Sequence, residues 1–197
     1  IMTGRRGEKP SLSGEKLMPI ESFGMHTLSI GNLVDENNPV VWRGPMVHQA
    51  LEQLLRDTKW PGGDFMIIDL PPGTGDVQLS LSQLCELTGS VIVSTPQDVA
   101  LIDAIKAAQM FTKVEIDILG IVENMSYFIC NKCDERHYLL GKDGGQKLSK
   151  EFDVKFLGQI PFDKKISENC DSGTPDLIQS NIELKKIYDE ITNKLIT

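Results

Sequence analysis

The sequence has no long hydrophobic run, few aromatic residues and only four cysteines. A membrane-spanning helix needs about 18 or more consecutive apolar residues, so none is predicted. Residues 1–10 are polar and contain no apolar core of a secretory signal. Four cysteines are few for a secreted disulfide scaffold of this size. We therefore expect reduced thiols in a cytoplasmic compartment, or in the mitochondrial matrix if the protein is eukaryotic.

The sequence also lacks an excess of positive charge. Its 20 Lys and Arg residues are outnumbered by 28 Asp and Glu residues, which gives a formal net charge of −8 and a pI near 4.9. Such a chain is poorly suited to nucleic acid or to an anionic membrane, so we expect neither as the main partner. Apolar residues make up 40% of the chain, which is ordinary for a globular protein with a large core.

Three apolar runs alternate with amphipathic helical segments. The runs are residues 65–70, 90–95 and 116–122, and continuous apolar runs are typical of strands buried on both faces of a parallel sheet. This alternation predicts an α/β fold with a mostly parallel sheet and helices on both faces. Residues 1–24 are predicted to be loop-like, and Asp98 is predicted to cap the helix that follows the second run.

An acidic residue, Asp69, lies near the end of the first apolar run and precedes the Gly- and Pro-rich loop 71–75. A buried carboxylate is costly unless it is paired or bound to a metal. The Walker B element of P-loop NTPases has this form, because its Asp holds Mg²⁺ and the loop after it senses the γ-phosphate. If only the apolar run and Asp69 are considered, and not the loop, an Asp that caps the next turn is the more ordinary interpretation.

Asn124 follows the third apolar run. Ligands of parallel sheets bind beyond the carboxyl ends of the strands, where a side-chain amide can both donate to and accept from a nucleobase edge. An Asn that closes a turn is an equally good interpretation of the residues alone.

Two of the cysteines, Cys130 and Cys133, form a C-x-x-C pair in a polar segment. Two thiolates at this spacing can chelate one soft ion or two corners of a cluster. They do not complete a set of four ligands, but a two-fold dimer would bring two pairs together. His137 offers a second route, a partial zinc site within one chain. A thioredoxin-like dithiol and a pair of unliganded thiols are the other interpretations.

A Walker A loop, G-x-x-x-x-G-K-[ST], is missing. Residues 141–149 superficially resemble one, but their spacing is wrong and they follow the cysteine segment instead of a buried strand. The sequence therefore has a Walker-B-like site without the loop that cradles the phosphates.

Several stretches taken together resemble the Mrp/ApbC group of P-loop ATPases, the iron–sulfur cluster carrier proteins related to MinD. They are V-V-W-R-G-P-M (40–46), I-I-D-L-P-P-G-T-G-D-V-Q-L-S (67–80), V-S-T-P-Q-D-V-A-L (93–101), G-I-V-E-N-M-S-Y-F (120–128), the C-N-K-C pair, L-G-Q-I-P-F-D (157–163) and D-S-G-T-P (171–175). The resemblance implies a MinD-like P-loop NTPase fold that is incomplete at its N-terminus. It also implies that residues 1–197 are a single domain, the C-terminal two-thirds of the family domain, with a metal-binding loop at 124–145.

The resemblance assigns nucleotide-related roles to several residues. Asp69 matches the Walker B acid near the Mg²⁺ of ATP, residues 71–76 match the switch II loop, and Asn124 resembles the adenine-reading Asn of MinD-like ATPases. The residues so implied are Asp69 and Asp76 as catalytic and Gly73, Thr74, Gly75 and Asn124 as nucleotide-binding.

The resemblance also assigns the cysteines. Cys130 and Cys133 match the pair proposed to hold a [4Fe–4S] cluster between two subunits, which agrees with two thiolates per chain. The function so implied is an ATP-dependent iron–sulfur carrier and assembly scaffold. It would act as a homodimer, transfer clusters to apo iron–sulfur proteins and hydrolyse ATP weakly.

The departure from the family pattern is large. Family members begin with a strand and a deviant Walker A loop, and this sequence matches from roughly 100 residues into that pattern. We therefore expect no ATP hydrolysis by this chain alone. Two rival functions stay open: an interaction module dimerised around Zn²⁺ at the cysteine pair, and a MinD-like positioning ATPase, which the net charge of −8 disfavours.

Overall fold

A computed structural model describes residues 1–34, 44–71, 76–175 and 180–197. The chain divides into two compact units. The first comprises Ile1–Cys85 with Asn169–Asp176, and the second comprises Glu86–Glu168 with Leu177–Thr197.

The first unit contains short hairpins and helices. Its elements are β1 (Leu12–Ser13), β2 (Lys16–Leu17), β3 (Ile20–Ser22), β4 (Met25–Thr27), α1 (Ile30–Leu33), α2 (Gly44–Arg56) and α3 (Asp76–Leu84). Strand β1 pairs with β2 and β3 with β4, both antiparallel. The prediction that residues 1–24 are loop-like was therefore wrong. Phe23 and Gly24 both have positive φ between β3 and β4, which is the backbone of a tight two-residue hairpin turn.

The first apolar run was predicted to be a buried strand, and this prediction was also wrong. Residues 65–71 form neither helix nor strand. The side chains of Phe65 and Ile67 are 75% and 92% exposed. An extended apolar segment becomes a strand only when a neighbour satisfies its backbone N–H and C=O groups, and in the part of the chain that the structure describes no strand pairs with it.

The second unit is built on a parallel sheet. Its elements are β5 (Ser90–Ser94), α4 (Asp98–Lys113), β6 (Ile118–Glu123), β7 (Phe128–Ile129), β8 (Arg136–His137), α5 (Gly144–Glu151), β9 (Phe156–Gln159) and α7 (Ile182–Ile196); α6 spans Lys164–Ser172. The strand order is β5-β6-β9, with both pairs parallel. The other two apolar runs thus form parallel strands as predicted, with β6 in the centre. The prediction that both runs are buried on both faces was wrong for β5, since the side chains of Val91 and Val93 are 36% and 60% exposed.

Helices cover both faces of this sheet, as predicted. A Cβ on Gly145 of α5 would lie 2.9 Å from the Cβ of Glu123, whereas a Cβ on Gly158 would lie 2.7 Å from Ile191 of α7. Glu123 and Gly158 point to opposite faces, because Gly158 pairs with the residue that precedes Glu123 in β6. Helix α4 packs on β5 and α5, so α4 and α5 share one face and α7 lies on the other.

The core of the second unit lies between the sheet and these helices. Ala108 of α4, Ile121 of β6 and Leu157 of β9 have no exposed surface. Helix α4 begins at Asp98, and its N-cap is Gln97. The prediction that Asp98 caps this helix was therefore wrong by one residue, and Asp98 instead places a negative charge in the first turn, where the helix dipole favours it. Within the described residues, no helix is long and apolar enough to cross a bilayer.

The close approach of α7 to β9 yields a stability prediction. In Gly158→Ala the new methyl group would meet Ile191 Cγ1 at 2.7 Å, so we expect a loss of about 1–3 kcal/mol in the free energy of unfolding. Urea unfolding followed by circular dichroism measures it. The control is Gly62→Ala, since a Cβ there meets nothing within 4 Å.

A double variant tests the cause of that loss. Ile191→Ala removes the atoms that the new methyl group meets, so Gly158→Ala combined with Ile191→Ala should cost less than the two single changes added together. Strict additivity would contradict the assigned contact.

Candidate functional site

A buried carboxylate, Glu123, ends the central strand β6. Its side chain is fully buried and accepts three hydrogen bonds. Ser126 Oγ donates to Oε1, Gln159 Nε2 donates to Oε1 at 2.9 Å, and the backbone N–H of Gly145 donates to Oε2 at 2.6 Å. These bonds offset the cost of burying the charged group.

Each donor to Glu123 comes from a different part of the unit. Ser126 belongs to the loop after β6, Gln159 ends β9, and Gly145 lies in the first turn of α5. The positive end of the α5 dipole adds to the stabilisation of a negative charge there. The N–H of Gly145, in the segment that superficially resembles a Walker A loop, is also the kind of donor that binds phosphate. Here it donates to the Glu123 carboxylate instead.

Sequence reasoning gave Glu123 no role. The signal was nevertheless present, since Glu123 is an acidic residue at the end of an apolar run, as is Asp69. The structure distinguishes the two: Glu123 is buried and Asp69 is exposed.

Asn124 lies at the carboxyl end of β6, as predicted. Its backbone N–H donates to the carbonyl of Ser94, which ends β5, at 2.8 Å. Its Oδ1 accepts from the N–H of Met125 at 3.0 Å, and Met125 has the positive φ of a sharp turn. The half-buried Asn124 side chain is thus held where ligands of parallel sheets bind.

The segment that carries the C-x-x-C pair is a small hairpin formed by β7 and β8. Phe128 pairs with His137 and Ile129 with Arg136. The base of the hairpin is anchored at Tyr127, whose ring is buried. The Arg136 guanidinium lies 4.4 Å from the centre of that ring, and the N–H of Phe162 donates to the Tyr127 carbonyl at 2.7 Å.

The turn of the hairpin is closed by backbone hydrogen bonds around the first cysteine. The N–H of Cys130 donates to the carbonyl of Glu135 at 3.0 Å, and the N–H of Asp134 donates to the carbonyl of Cys130 at 2.9 Å. Asp134 has a φ of 55°, a conformation that Asp tolerates better than most residues. The turn therefore places the side chains of both cysteines at the tip of an ordered hairpin.

The side chains of Cys130, Cys133 and His137 converge at this tip. Their sulfur and ring nitrogen atoms all lie within 4.8 Å of one another. Cys130 is half-buried, and Cys133 and His137 are exposed. Cysteine sulfur and imidazole nitrogen are the ligands that Zn²⁺ and iron–sulfur chemistry use, so the tip is a candidate metal site.

The surroundings of Cys130 favour its thiolate. Hydrogen bonds from the backbone N–H groups of Lys132 and Cys133, with a further one from the Cys133 side chain, lower the pKa of Cys130 below its ordinary value. Burial instead raises the pKa of Cys85. Since metals bind the thiolate form, Cys130 is better prepared to act as a ligand than Cys85.

The predicted nucleotide residues are divided between the units. Asn124 lies in the second unit and Asp69 in the first. Asp76 is the first residue of α3. Gly73, Thr74 and Gly75 lie outside the described residues, as do residues 40–43 of the V-V-W-R-G-P-M stretch.

The bonds to Glu123 predict how the unit responds to the loss of this carboxylate. In Glu123→Gln an amide N–H₂ replaces one acceptor oxygen and faces a donor, so we expect a loss of about 1–3 kcal/mol in the free energy of unfolding. Urea unfolding measures that loss, and amide hydrogen exchange at Gly145 should accelerate. The exposed Glu86→Gln is the matched control; if both variants were equally stable, the buried network would have no such role.

Comparison with known proteins places these features in a family. The family model for NUBPL iron-transfer P-loop NTPases, of the ParA type, matches residues 1–196. The iron–sulfur cluster carrier protein of Salmonella typhimurium is 45% identical over 98% of this chain and 53% of its own length. The iron–sulfur cluster transfer protein NUBPL of Dictyostelium discoideum is 44% identical over 100% of this chain and 61% of its own length. The chain thus spans little more than half the length of these relatives.

Two solved structures resemble this chain in fold. A nucleotide-binding protein from Archaeoglobus fulgidus, in complex with ADP and with cobalt found in it, matches with a TM-score of 0.70 and 34% identity over 85% of this chain and 65% of its own. The cell division ATPase MinD of Pyrococcus furiosus matches with a TM-score of 0.52 and 20% identity over 78% of this chain and 58% of its own, and this shows the fold alone. Because the family model matches residues 1–196 and these relatives are 44–45% identical, the chain belongs to the NUBPL iron-transfer P-loop NTPase family, a family of iron–sulfur cluster carrier and transfer proteins.

Proposed function

We propose that this chain is the cluster-holding part of an ATP-dependent iron–sulfur carrier. Its cargo would be a [4Fe–4S] cluster that Cys130 and Cys133 bind together with the same pair from a second subunit. The observation that carries the proposal is the C-x-x-C pair at the exposed tip of an anchored hairpin, in a chain of an iron-transfer family.

The number of thiolate ligands supports a homodimer. A [4Fe–4S] cluster takes four thiolates, and the hairpin supplies two. A two-fold axis presents the same surface of both subunits to each other, so it would bring the two pairs together. The exposure of Cys133 supports this arrangement, because a second chain can reach its sulfur.

Exposure also suits transfer. A cluster that is handed to an apo-protein must be reached by the thiols of that client, and a buried site would prevent their approach. The Tyr127–Arg136 contact holds the base of the hairpin, so the tip can present its ligands without losing their spacing. Apo iron–sulfur proteins are therefore the clients that we propose, in the cytoplasm or in the mitochondrial matrix.

ATP binding would require a Walker A loop, which this sequence lacks. Asn124 has a side-chain amide suited to the adenine edge. Carboxylates are ligands that Mg²⁺ prefers, which fits Asp69 and Asp76 as the acidic residues beside Mg²⁺–ATP. Gly73, Thr74 and Gly75 would contact the nucleotide as part of switch II. We further propose that residues 1–197 are part of a single P-loop domain. ATP hydrolysis would change how tightly the cysteine pairs bind the cluster.

Anaerobic reconstitution with iron and sulfide tests the proposal. We expect the chain to form a brown species with roughly four iron ions per two chains, and we expect Cys133→Ala to lose the species because half of the thiolates are gone. Absorbance and metal analysis measure it. Sedimentation should show the loaded species as a dimer.

Cys170→Ala is the matched control, since Cys170 is also a free cysteine but lies in α6, and it should load normally. A colourless chain that binds zinc through the cysteine pair would contradict the carrier proposal and favour the zinc-stabilised dimeric module.

A further inference from the structure

The hairpin register places His137 on the cysteine side. His137 is opposite Phe128 in the β7–β8 ladder. Side chains alternate along a strand, so Phe128 and Cys130 face the same way, and the residue opposite Phe128 shares that face. His137 and Cys130 are therefore diagonal neighbours, and Cys133 reaches the same face from the turn.

The three ligand atoms are spaced nearly as a tetrahedral ion requires. With bonds of about 2.3 Å to sulfur and about 2.0 Å to nitrogen, ligand atoms of a zinc site lie about 3.5–3.8 Å apart. The three atoms here lie within 4.8 Å of one another. Side-chain rotations that move these atoms by about an ångström would close the difference, and the side chains of Cys133 and His137 are exposed.

We infer that His137 is a third metal ligand and that a single chain holds one divalent cation of the zinc type through Cys130, Cys133 and His137. The inference rests on the proposed function only in sharing the cysteine pair. Within the described residues, no other group of three or more potential ligands converges in this way. The carboxylate of Glu135, 3.9 Å from Cys133 Sγ, adds negative charge beside the cation.

Three protein ligands leave the fourth position of a tetrahedral ion open, as in sites where a bound group is exchanged. The mononuclear site and the bridging cluster use the same two thiolates, so they exclude each other. Zinc bound to one chain would therefore compete with cluster loading, and His137 would determine how strongly it does so.

Anaerobic titration of the metal-free chain with Co²⁺ tests the inference, with Zn²⁺ added afterwards as the competitor. Tetrahedral Co²⁺ shows thiolate charge-transfer absorption and visible d–d bands. We expect one ion per chain, a monomer in sedimentation, and a loss of about tenfold or more in affinity for His137→Ala, at least as large as for loss of an outer-shell partner. The d–d bands of that variant should also change shape.

Two variants separate ligation from folding. His26→Ala removes an exposed histidine of β4 and should bind Co²⁺ as the unaltered chain does. His137→Cys restores a ligand, so it should recover the affinity and increase the charge-transfer absorption by about half, since three thiolates replace two.

The outcomes separate the inference from the proposed function. Unchanged Co²⁺ affinity and spectrum in His137→Ala, or one ion per two chains, would overturn the inference and leave the bridging cluster intact. Weaker Co²⁺ binding by His137→Ala, together with normal iron–sulfide loading of that variant, would support both. Tight Co²⁺ binding through all three residues, with no cluster formed by the unaltered chain, would support the inference and contradict the carrier proposal.

Discussion

A fully buried carboxylate is stable only when its oxygens accept hydrogen bonds. In the second unit, three elements supply donors to one such carboxylate. Glu123 ends the central strand and receives donors from the following loop, from β9 and from the first turn of α5. The same bonds fix the loop on which Asn124 lies and the helix that follows the cysteine hairpin. One buried charge therefore orders the edge of the sheet that carries the candidate ligand-binding residues.

The cysteine hairpin shows the opposite environment. Its tip is exposed, and its order comes from its base, where Arg136 lies over the buried ring of Tyr127. This combination suits a cargo site, because the ligands keep their spacing while solvent and other proteins can reach them. The donors around Cys130 favour the charged form that binds metal.

The apolar segment 65–70 is neither helix nor strand. Its apolar residues are typical of a buried strand, yet Phe65 and Ile67 are largely exposed. Strands are cooperative with their neighbours, since each satisfies the backbone groups of the next. The chain spans little more than half the length of its relatives. Asp69 lies in segment 65–70, and the role of Asp69 beside Mg²⁺ stays a prediction.

The sequence by itself determined the α/β class, the family and the C-x-x-C pair, because apolar periodicity and short motifs are local properties. It also predicted the strands β5 and β6 and the position of Asn124. Tertiary structure alone decided which acidic residue is buried, since the burial of Glu123 depends on donors that are distant in sequence. It also decided that His137 joins the cysteines, because strand register is set by pairing across the hairpin, which spacing does not specify.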